Sequence, residues 1–279
     1  MTRLSTIFYQ GEPGSYSEAA ILNHWPHAKA IGLPSFSEVV ARLQSDESVV
    51  GLLPIENAYR GPVYEVLDLF TGASPALEIR AEVVQPVELA LLARPGMELN
   101  DVRVVRSHPQ ALMQSRGFWQ PKGWNTEPAL DTAGSAREVS ESDRPGVAAI
   151  ASQRAGALYG LNVLASNIHD HTDNRTRFWL IAQRPVGISV SPLGLYKTSI
   201  VFDVPNVPGS LVKVLMHFSN GGLNLNKVES RPRPGVPFAF RFWIDVAGRS
   251  EQMASVVEQA VGEMEWHRVL GSGYPVLDQ

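Results

Sequence analysis

Apolar positions in the first two-thirds of the chain alternate between short unbroken runs and helical spacing. Residues 6–9 and 49–53 are compact apolar runs bounded by Gly or Pro, the pattern of buried strands. Two helices are predicted between them. Ser15 caps one that continues to Leu22, with Glu18 at the capping-box position, and Ser35 caps one that carries Val39, Val40 and Leu43, with Glu38 three residues on. Val63, Val66, Leu67 and Phe70 then follow at helical spacing. This βαβα order predicts parallel strands covered by helices. A second unit has the same texture. Residues 83–93 read as one long strand, 102–105 as another and 109–119 as a helix. Asp131 or Thr132 opens a further helix, 147–151 is a buried strand leading into a helix around 154–159, and 176–182 returns to strand. Two α/β lobes imply a ligand cleft where they meet.

The texture changes at 184–195, where Arg184-Pro185-Val186-Gly187 and Ser191-Pro192-Leu193-Gly194 are turn-rich and lack a helical period. Beyond this linker the order is strand 197–204, helix 209–219, strand 223–230, strand 238–246, helix 251–261 and strand 266–270. That is the ferredoxin-like βαββαβ order. Pro208 fits a helix start and Gly221-Gly222 its stop. The reading gives a two-lobed α/β unit over 4–183, a linker over 184–195 and a smaller unit over 196–274.

Composition narrows the chemistry. The chain has 279 residues, 44% hydrophobic and 19% charged, so ordinary cores can form. A net charge of −4 gives no electrostatic footprint for nucleic acid or an anionic membrane, and an anionic ligand must be held by local donors. With no cysteine there is no disulfide, thiolate metal site or cysteine nucleophile. The first ten residues lack a secretory pattern and no run approaches the roughly 20 apolar residues of a membrane span. A soluble cytoplasmic protein is expected.

Four polar clusters stand at strand or helix ends. Gly11-Glu12-Pro13-Gly14-Ser15-Tyr16-Ser17 is either a well-capped turn or a cradle for an anion at a helix start, and its glycine spacing is not that of a dinucleotide fingerprint. Pro54-Ile55-Glu56-Asn57 leaves a buried strand, so Glu56 or Asn57 faces a crevice or is hydrogen-bonded inside, or Asn57 is a cap. Ser107-His108-Pro109-Gln110 opens the helix carrying Gln114; Ser107 can cap it, and His108 can be a solvated side chain. Asn174-Arg175-Thr176-Arg177-Phe178 enters a strand, where Thr176 offers a hydroxyl and Arg177 a bidentate carboxylate binder if both line the cleft. A solvated strand start is the alternative. His169, Asp170, His171 and Asp173 have no recognised zinc spacing and read as a polar loop.

Taken together, these segments resemble prephenate dehydratases along nearly the whole chain. The matching segments are 11–20, 51–63 with Pro-Ile-Glu-Asn, Ser107-His108-Pro109-Gln110, 148–164 with Tyr159-Gly160-Leu161, and 174–178 with Thr-Arg-Phe. Downstream, Pro208-Gly209-Ser210-Leu211-Val212 and Glu229-Ser230-Arg231-Pro232 resemble the two phenylalanine-binding motifs of the family's regulatory ACT domain. The resemblance implies a periplasmic-binding-protein-like catalytic unit, dehydration and decarboxylation of prephenate to phenylpyruvate, no cofactor and no metal. It implies that Thr176 is essential, as a positioned donor to the leaving oxygen, with Glu56 and Asn57 beside it and Glu56 a candidate proton shuttle. Ser15, Ser107, Gln114, Asn174 and Arg177 would bind substrate. Ala58 departs from the pattern, since relatives carry Ser or Thr there.

In the regulatory unit the resemblance assigns phenylalanine to Gly209, Ser210, Leu211, Glu229 and Ser230, with Glu229-Ser230 facing an adjoining protomer of a homodimer or homotetramer, and Asn206 and Asn224 offer amides for the amino acid's charged ends. Two other readings stand beside this one: an arogenate dehydratase, which shares nearly every motif, and a non-catalytic two-lobed small-molecule binding protein.

Overall fold

The computed structural model describes residues 4–187 and 194–277; residues 188–193 of the expected linker lie outside them. Lobe 1 begins with β1 (Thr6–Gln10), α1 (Tyr16–His24), β2 (Lys29–Leu33), α2 (Phe36–Ser45), β3 (Val50–Asn57), β4 (Gly61–Pro62), α3 (Tyr64–Gly72) and β5 (Glu78–Pro86). Lobe 2 follows with β6 (Ala90–Ala93), β7 (Val104–Ser107), α4 (Pro109–Gln114), α5 (Arg116–Trp119), β8 (Asn125–Pro128), α6 (Thr132–Glu141), β9 (Val147–Ala151), α7 (Gln153–Leu158) and β10 (Asn162–Ala165). The chain then returns to lobe 1 with β11 (Arg175–Ala182). The C-terminal unit runs β12 (Leu195–Asp203), α8 (Ser210–Asn220), β13 (Leu225–Pro232), β14 (Phe240–Ala247), α9 (Ser250–Val261) and β15 (Trp266–Leu277), the expected βαββαβ order. Among the described residues no helix is long and apolar enough to cross a membrane.

Ser15, Ser35, Asp131 and Ser152 each accept a backbone N–H at a helix start, at Glu18, Glu38, Gly134 and Ala155 respectively, so short polar residues set four of the helix beginnings. Strands β1 and β3 pair in parallel, while β11 runs antiparallel between β3 and β5. The larger sheet has the order β13-β14-β12-β15-β5-β11-β3-β1-β2, with β4 beside β3, and the smaller sheet the order β10-β6-β9-β7-β8.

The apolar run 83–93 is not one strand. It belongs to two sheets, β5 ending at Pro86 and β6 starting at Ala90. Proline at the end removes a ladder donor, and Val87, Glu88 and Leu89 carry the chain across to lobe 2. The return crossing lies alongside: Val87 N–H donates to Asn174 O at 2.9 Å and Ile168 N–H to Leu89 O at 3.0 Å. The expected helix 109–119 also divides. Ser115 leaves helical geometry (φ −120°, ψ 16°) and its Oγ donates to Ala111 O at 2.7 Å.

The C-terminal sheet buries both faces. Ile200, Phe202, Ile244 and Val246 pack under α8 and α9 against Val214, Phe218, Met253 and Ala260. On the opposite face Val201, Trp243, Leu270 and Tyr274 share one core with Val66, Phe70, Ile79, Trp179 and Ile181 of lobe 1. Arg268 closes this contact from β15. Its Nη1 donates to the carbonyls of Phe70 (3.1 Å), Thr71 (3.3 Å) and Ala73 (3.0 Å), and its Nη2 to Ser74 and Leu77 (2.9 Å each). These are carbonyls at and beyond the end of α3, where a helix lacks intrahelical donors and a cation is favoured.

Replacing Arg268 with Met keeps the length of the side chain and removes every one of those donors. We expect Arg268→Met to lower unfolding free energy by about 3 kcal/mol, read from urea denaturation, because several partly buried carbonyls lose their partner. An unchanged midpoint would show that water replaces the guanidinium at no cost.

Candidate active site

A cavity of about 160 Å³ opens between the lobes. Lobe 1 supplies Asn57 and Thr176, lobe 2 supplies His108, Gln110, Ala111 and Gln114, and the crossing segment supplies Val87 and Leu89; Tyr16 and Thr132 complete it. Asn57 ends β3 and Thr176 lies opposite it on β11. The Asn57 Nδ2 group donates to Thr176 Oγ1 (3.1 Å), to Asn174 Oδ1 (2.8 Å) and to the Arg175 carbonyl (3.1 Å). Asn174 Nδ2 donates in turn to Gln114 Oε1 at 3.2 Å, which carries the relay from lobe 1 to lobe 2. Gln114 Nε2, at the far end, is buried and has no partner among the described residues. A buried amide without an acceptor is costly, and here it borders a cavity that can hold one.

The direction of each bond fixes what the cavity offers. Thr176 Oγ1 already accepts from Asn57, so the hydroxyl proton is available to a ligand. Gln114 Oε1 is taken by Asn174, leaving the NH2 group. Val87, Leu89 and Ala111 provide apolar contact. The set suits a compact, oxygen-rich ligand with an apolar ring.

Strand geometry separates two residues that the sequence put together in the cleft. Thr176 and Arg177 are consecutive on β11 and face opposite sides of the sheet, as do their cross-strand partners Asn57 and Glu56. Arg177 accordingly pairs with Glu56, and its Nη1 lies 3.5 Å from both Glu82 and Asp245. Lys227 binds Glu56 at 3.2 Å and Lys197 binds Glu82 at 2.6 Å. Glu82 and Asp245 are buried, and Ser199 Oγ donates to Asp245 at 2.5 Å. Arg177, Lys197 and Lys227 thus meet Glu56, Glu82 and Asp245 at the seam between lobe 1 and the C-terminal unit, charge for charge. Burial alone would lower the Arg177 pKa, but Glu82, Asp245 and Glu56 outweigh it and hold the guanidinium protonated. Burial would raise that of Glu56, yet Arg177 and Lys227 win and depress it.

Other expected site residues have structural partners. Ser107 is fully buried and donates to Ile150 O at 2.5 Å. Ser15 caps α1, its Oγ accepting from Glu18 N–H at 3.3 Å. The turn before it is a lobe-to-lobe seam: Ser152 Oγ donates to Gly14 O at 2.8 Å and Tyr159 OH to Pro13 O at 2.9 Å. Gly14 has φ +88°, and a Cβ there would come within 3.0 Å of the Ala155 Cα. In the polar loop, His169 Nδ1 accepts from Leu89 N–H, His171 stacks on Tyr59 and Asp173 accepts from the Tyr59 hydroxyl. In the C-terminal unit Asn206 is exposed near the start of α8, Gly209 caps it at φ +87°, and Ser210 and Leu211 form its first turn. Asn224 is exposed. Glu229 accepts from Tyr64 OH at 3.1 Å within the same chain, and Ser230 lies on the exposed side of β13.

Tyr16 and Gln110 line the cavity from two of the polar clusters and Thr132 from a predicted helix start, but none of the three was named as a ligand group. His108 had a signal, the helix-opening Ser-His-Pro-Gln, but read equally well as solvated.

Because the Glu56 carboxyl is depressed in the fold, its contribution to stability is complete above the ordinary carboxylate pKa of about 4.3 and is lost as pH falls through the lowered value. The stability gap between the native chain and Glu56→Gln should therefore be widest at pH 7 and close progressively as pH falls below about 4.3 and through the lowered folded-state value. Urea midpoints across that range measure it, and a gap that does not change with pH would contradict the assignment.

Comparison with known proteins agrees with this architecture. The prephenate dehydratase family model matches residues 7–186. Arogenate dehydratase/prephenate dehydratase 2 of Arabidopsis thaliana, a chloroplastic protein, is 36% identical over 286 residues, 97% of this chain and 72% of the relative. A bifunctional N-acyl-homoserine lactone acylase/prephenate dehydratase of Komagataeibacter europaeus is 33% identical, over 95% of this chain and 94% of that one. Among solved structures, a prephenate dehydratase from Arthrobacter aurescens in complex with L-Phe superimposes with a TM-score of 0.86 at 31% identity, over 96% of this chain and 89% of that one. These likenesses identify the two-lobed α/β unit as the periplasmic-binding-protein-like fold of such enzymes. With the family model spanning most of both lobes and relatives above 30% identity along almost the full length, the chain belongs to the prephenate dehydratase family.

Proposed function

We propose that the chain converts prephenate to phenylpyruvate, water and CO2. The observation that carries this reading is the relay Gln114–Asn174–Asn57–Thr176, which leaves the Thr176 hydroxyl proton free in a cavity between the lobes. In the reaction the ring hydroxyl takes up one proton and leaves as water. The ring carboxylate leaves as CO2, and its bonding pair completes the aromatic ring. Thr176 donates a hydrogen bond to the departing oxygen, while Asn57 holds its Oγ and sets the direction of its proton. Gln114 Nε2 finds its missing acceptor in a substrate oxygen. Glu56 and Arg177 act on the other face of the sheet, by fixing the strands that carry Asn57 and Thr176.

The lining also supports prephenate over arogenate. Prephenate has a keto oxygen where arogenate has an ammonium group. Thr176 and Gln114 offer hydrogen-bond donors to that keto oxygen, and among the described residues lining the cavity none is a carboxylate.

The C-terminal unit, 196–274, is read as an ACT domain that takes L-phenylalanine at Asn206, Gly209, Ser210, Leu211 and Asn224, with Glu229 and Ser230 reaching that site from the neighbouring copy. Supporting this are its βαββαβ order and the left-handed Gly209 at an exposed helix start. Assembly as a homodimer or homotetramer is supported by the free edge of β13 and by exposed Val212, Met216 and Val228. Inhibition follows if the effector binds the less active arrangement more tightly. The cytoplasm is the expected compartment.

Purified protein assayed on prephenate and on arogenate, with and without phenylalanine, tests the whole reading; a pure binding protein turns over neither. Thr176→Ala should lower kcat on prephenate at least about 100-fold with the fold intact by circular dichroism. Near-native turnover in that variant would remove Thr176 from the mechanism.

A further inference from the structure

We propose that His108 contacts the substrate as an Nε2–H hydrogen-bond donor to one of its oxygens, a third donor beside Thr176 and Gln114. This inference rests on the dehydratase reading and adds a residue to it.

The tautomer follows from geometry. Nδ1 of His108 accepts the backbone N–H of Gln110 at 3.2 Å, as the N-cap of α4. A backbone N–H can only donate, so Nδ1 carries no proton and a neutral ring must carry its proton on Nε2. The environment keeps the ring neutral. Partial burial lowers the His108 pKa; Asp131 opposes this and Arg60 adds to it, and the net shift is downward. The side chain lines the cavity with Thr176 and Gln114, and its hydrogen bond to the protein is made at Nδ1.

All three donors arise by one rule. Thr176 has its oxygen occupied by Asn57, Gln114 its carbonyl by Asn174, and His108 its Nδ1 by the start of α4. Each has an acceptor site taken by a neighbour and keeps a hydrogen for the ligand. Sequence position explains why His108 can do this. Pro109 at the first helical position has no N–H, so the first free helix donor is that of Gln110, within reach of Nδ1.

Two substitutions separate the two ends of the ring. In His108→Asn the side-chain oxygen takes the place of Nδ1 as cap, and the distal donor is lost. In His108→Gln an amide N–H reaches the Nε2 position. We expect His108→Asn to lower kcat/KM for prephenate about 10- to 100-fold at an unchanged Tm, and His108→Gln to recover much of that loss. A His108→Asn variant with native kcat/KM, or a His108→Gln variant no better than it, overturns the proposal. If either variant fails to fold, 15N NMR of the native chain with labelled histidine decides, with phenylpyruvate as the probe. An unprotonated Nδ1 and an Nε2–H resonance that moves on addition of phenylpyruvate support it; an Nδ1–H tautomer or an unmoved Nε2 overturns it. Failure of the native chain to turn over prephenate counts instead against the dehydratase reading.

Discussion

Consecutive side chains of a strand leave opposite faces of its sheet, and in β11 that rule sends Thr176 into the cavity and Arg177 into the charged layer beneath the C-terminal unit. The neighbouring strand β3 obeys the same rule, with Asn57 on the cavity side and Glu56 beneath. A slip of one residue by β3 would put the Glu56 carboxylate where the Asn57 amide now stands, and a slip by β11 would put the Arg177 guanidinium in place of the Thr176 hydroxyl. Register is pinned from both sides, by the Asn57–Thr176 bond above and by the Glu56–Arg177 pair below. The site therefore inherits its order from a sheet that is buried on both faces.

The charged layer is also what makes the position of the C-terminal unit specific. Apolar contact through Trp243, Leu270 and Tyr274 is tolerant of sliding, because burial is not directional. Glu82 and Asp245 are not tolerant. Both are sealed from water, and a buried carboxylate deprived of its cation is destabilising by several kcal/mol. Lys197 and Arg177 must therefore meet them in one arrangement. The chain has joined a directional constraint to a non-directional one along the same seam.

Much of this was legible in the amino-acid order. Helix starts at Ser15, Ser35 and Asp131 announced themselves through cap chemistry, and the six elements after residue 195 were readable because their apolar period switches cleanly between two and 3.6. Edge strands were not. Lys29–Leu33, Asn125–Pro128 and Asn162–Ala165 carry exposed polar residues and lack the unbroken apolar run that marked β3 and β9. The split of 83–93 was hidden because either sheet accepts Val and Leu equally; the Gln-Pro pair at 85–86 was the available cue. For the cavity, Thr176, Asn57, Asn174 and Gln114 could be named from their motifs. Their mutual hydrogen bonds could not, since 117 residues separate Asn57 from Asn174. Grouping Arg177 and Glu56 with them ignored the alternation that a strand prediction already contained.

Asn174 stands where the return crossing enters lobe 1, and it holds two bonds at once. Its carbonyl accepts from Val87 on the outgoing crossing, and its side chain bridges Asn57 and Gln114. Gln114 rides on lobe 2 and Asn57 on lobe 1, so the aim of the Gln114 amide is tied through Asn174 to the relation in which the two lobes stand.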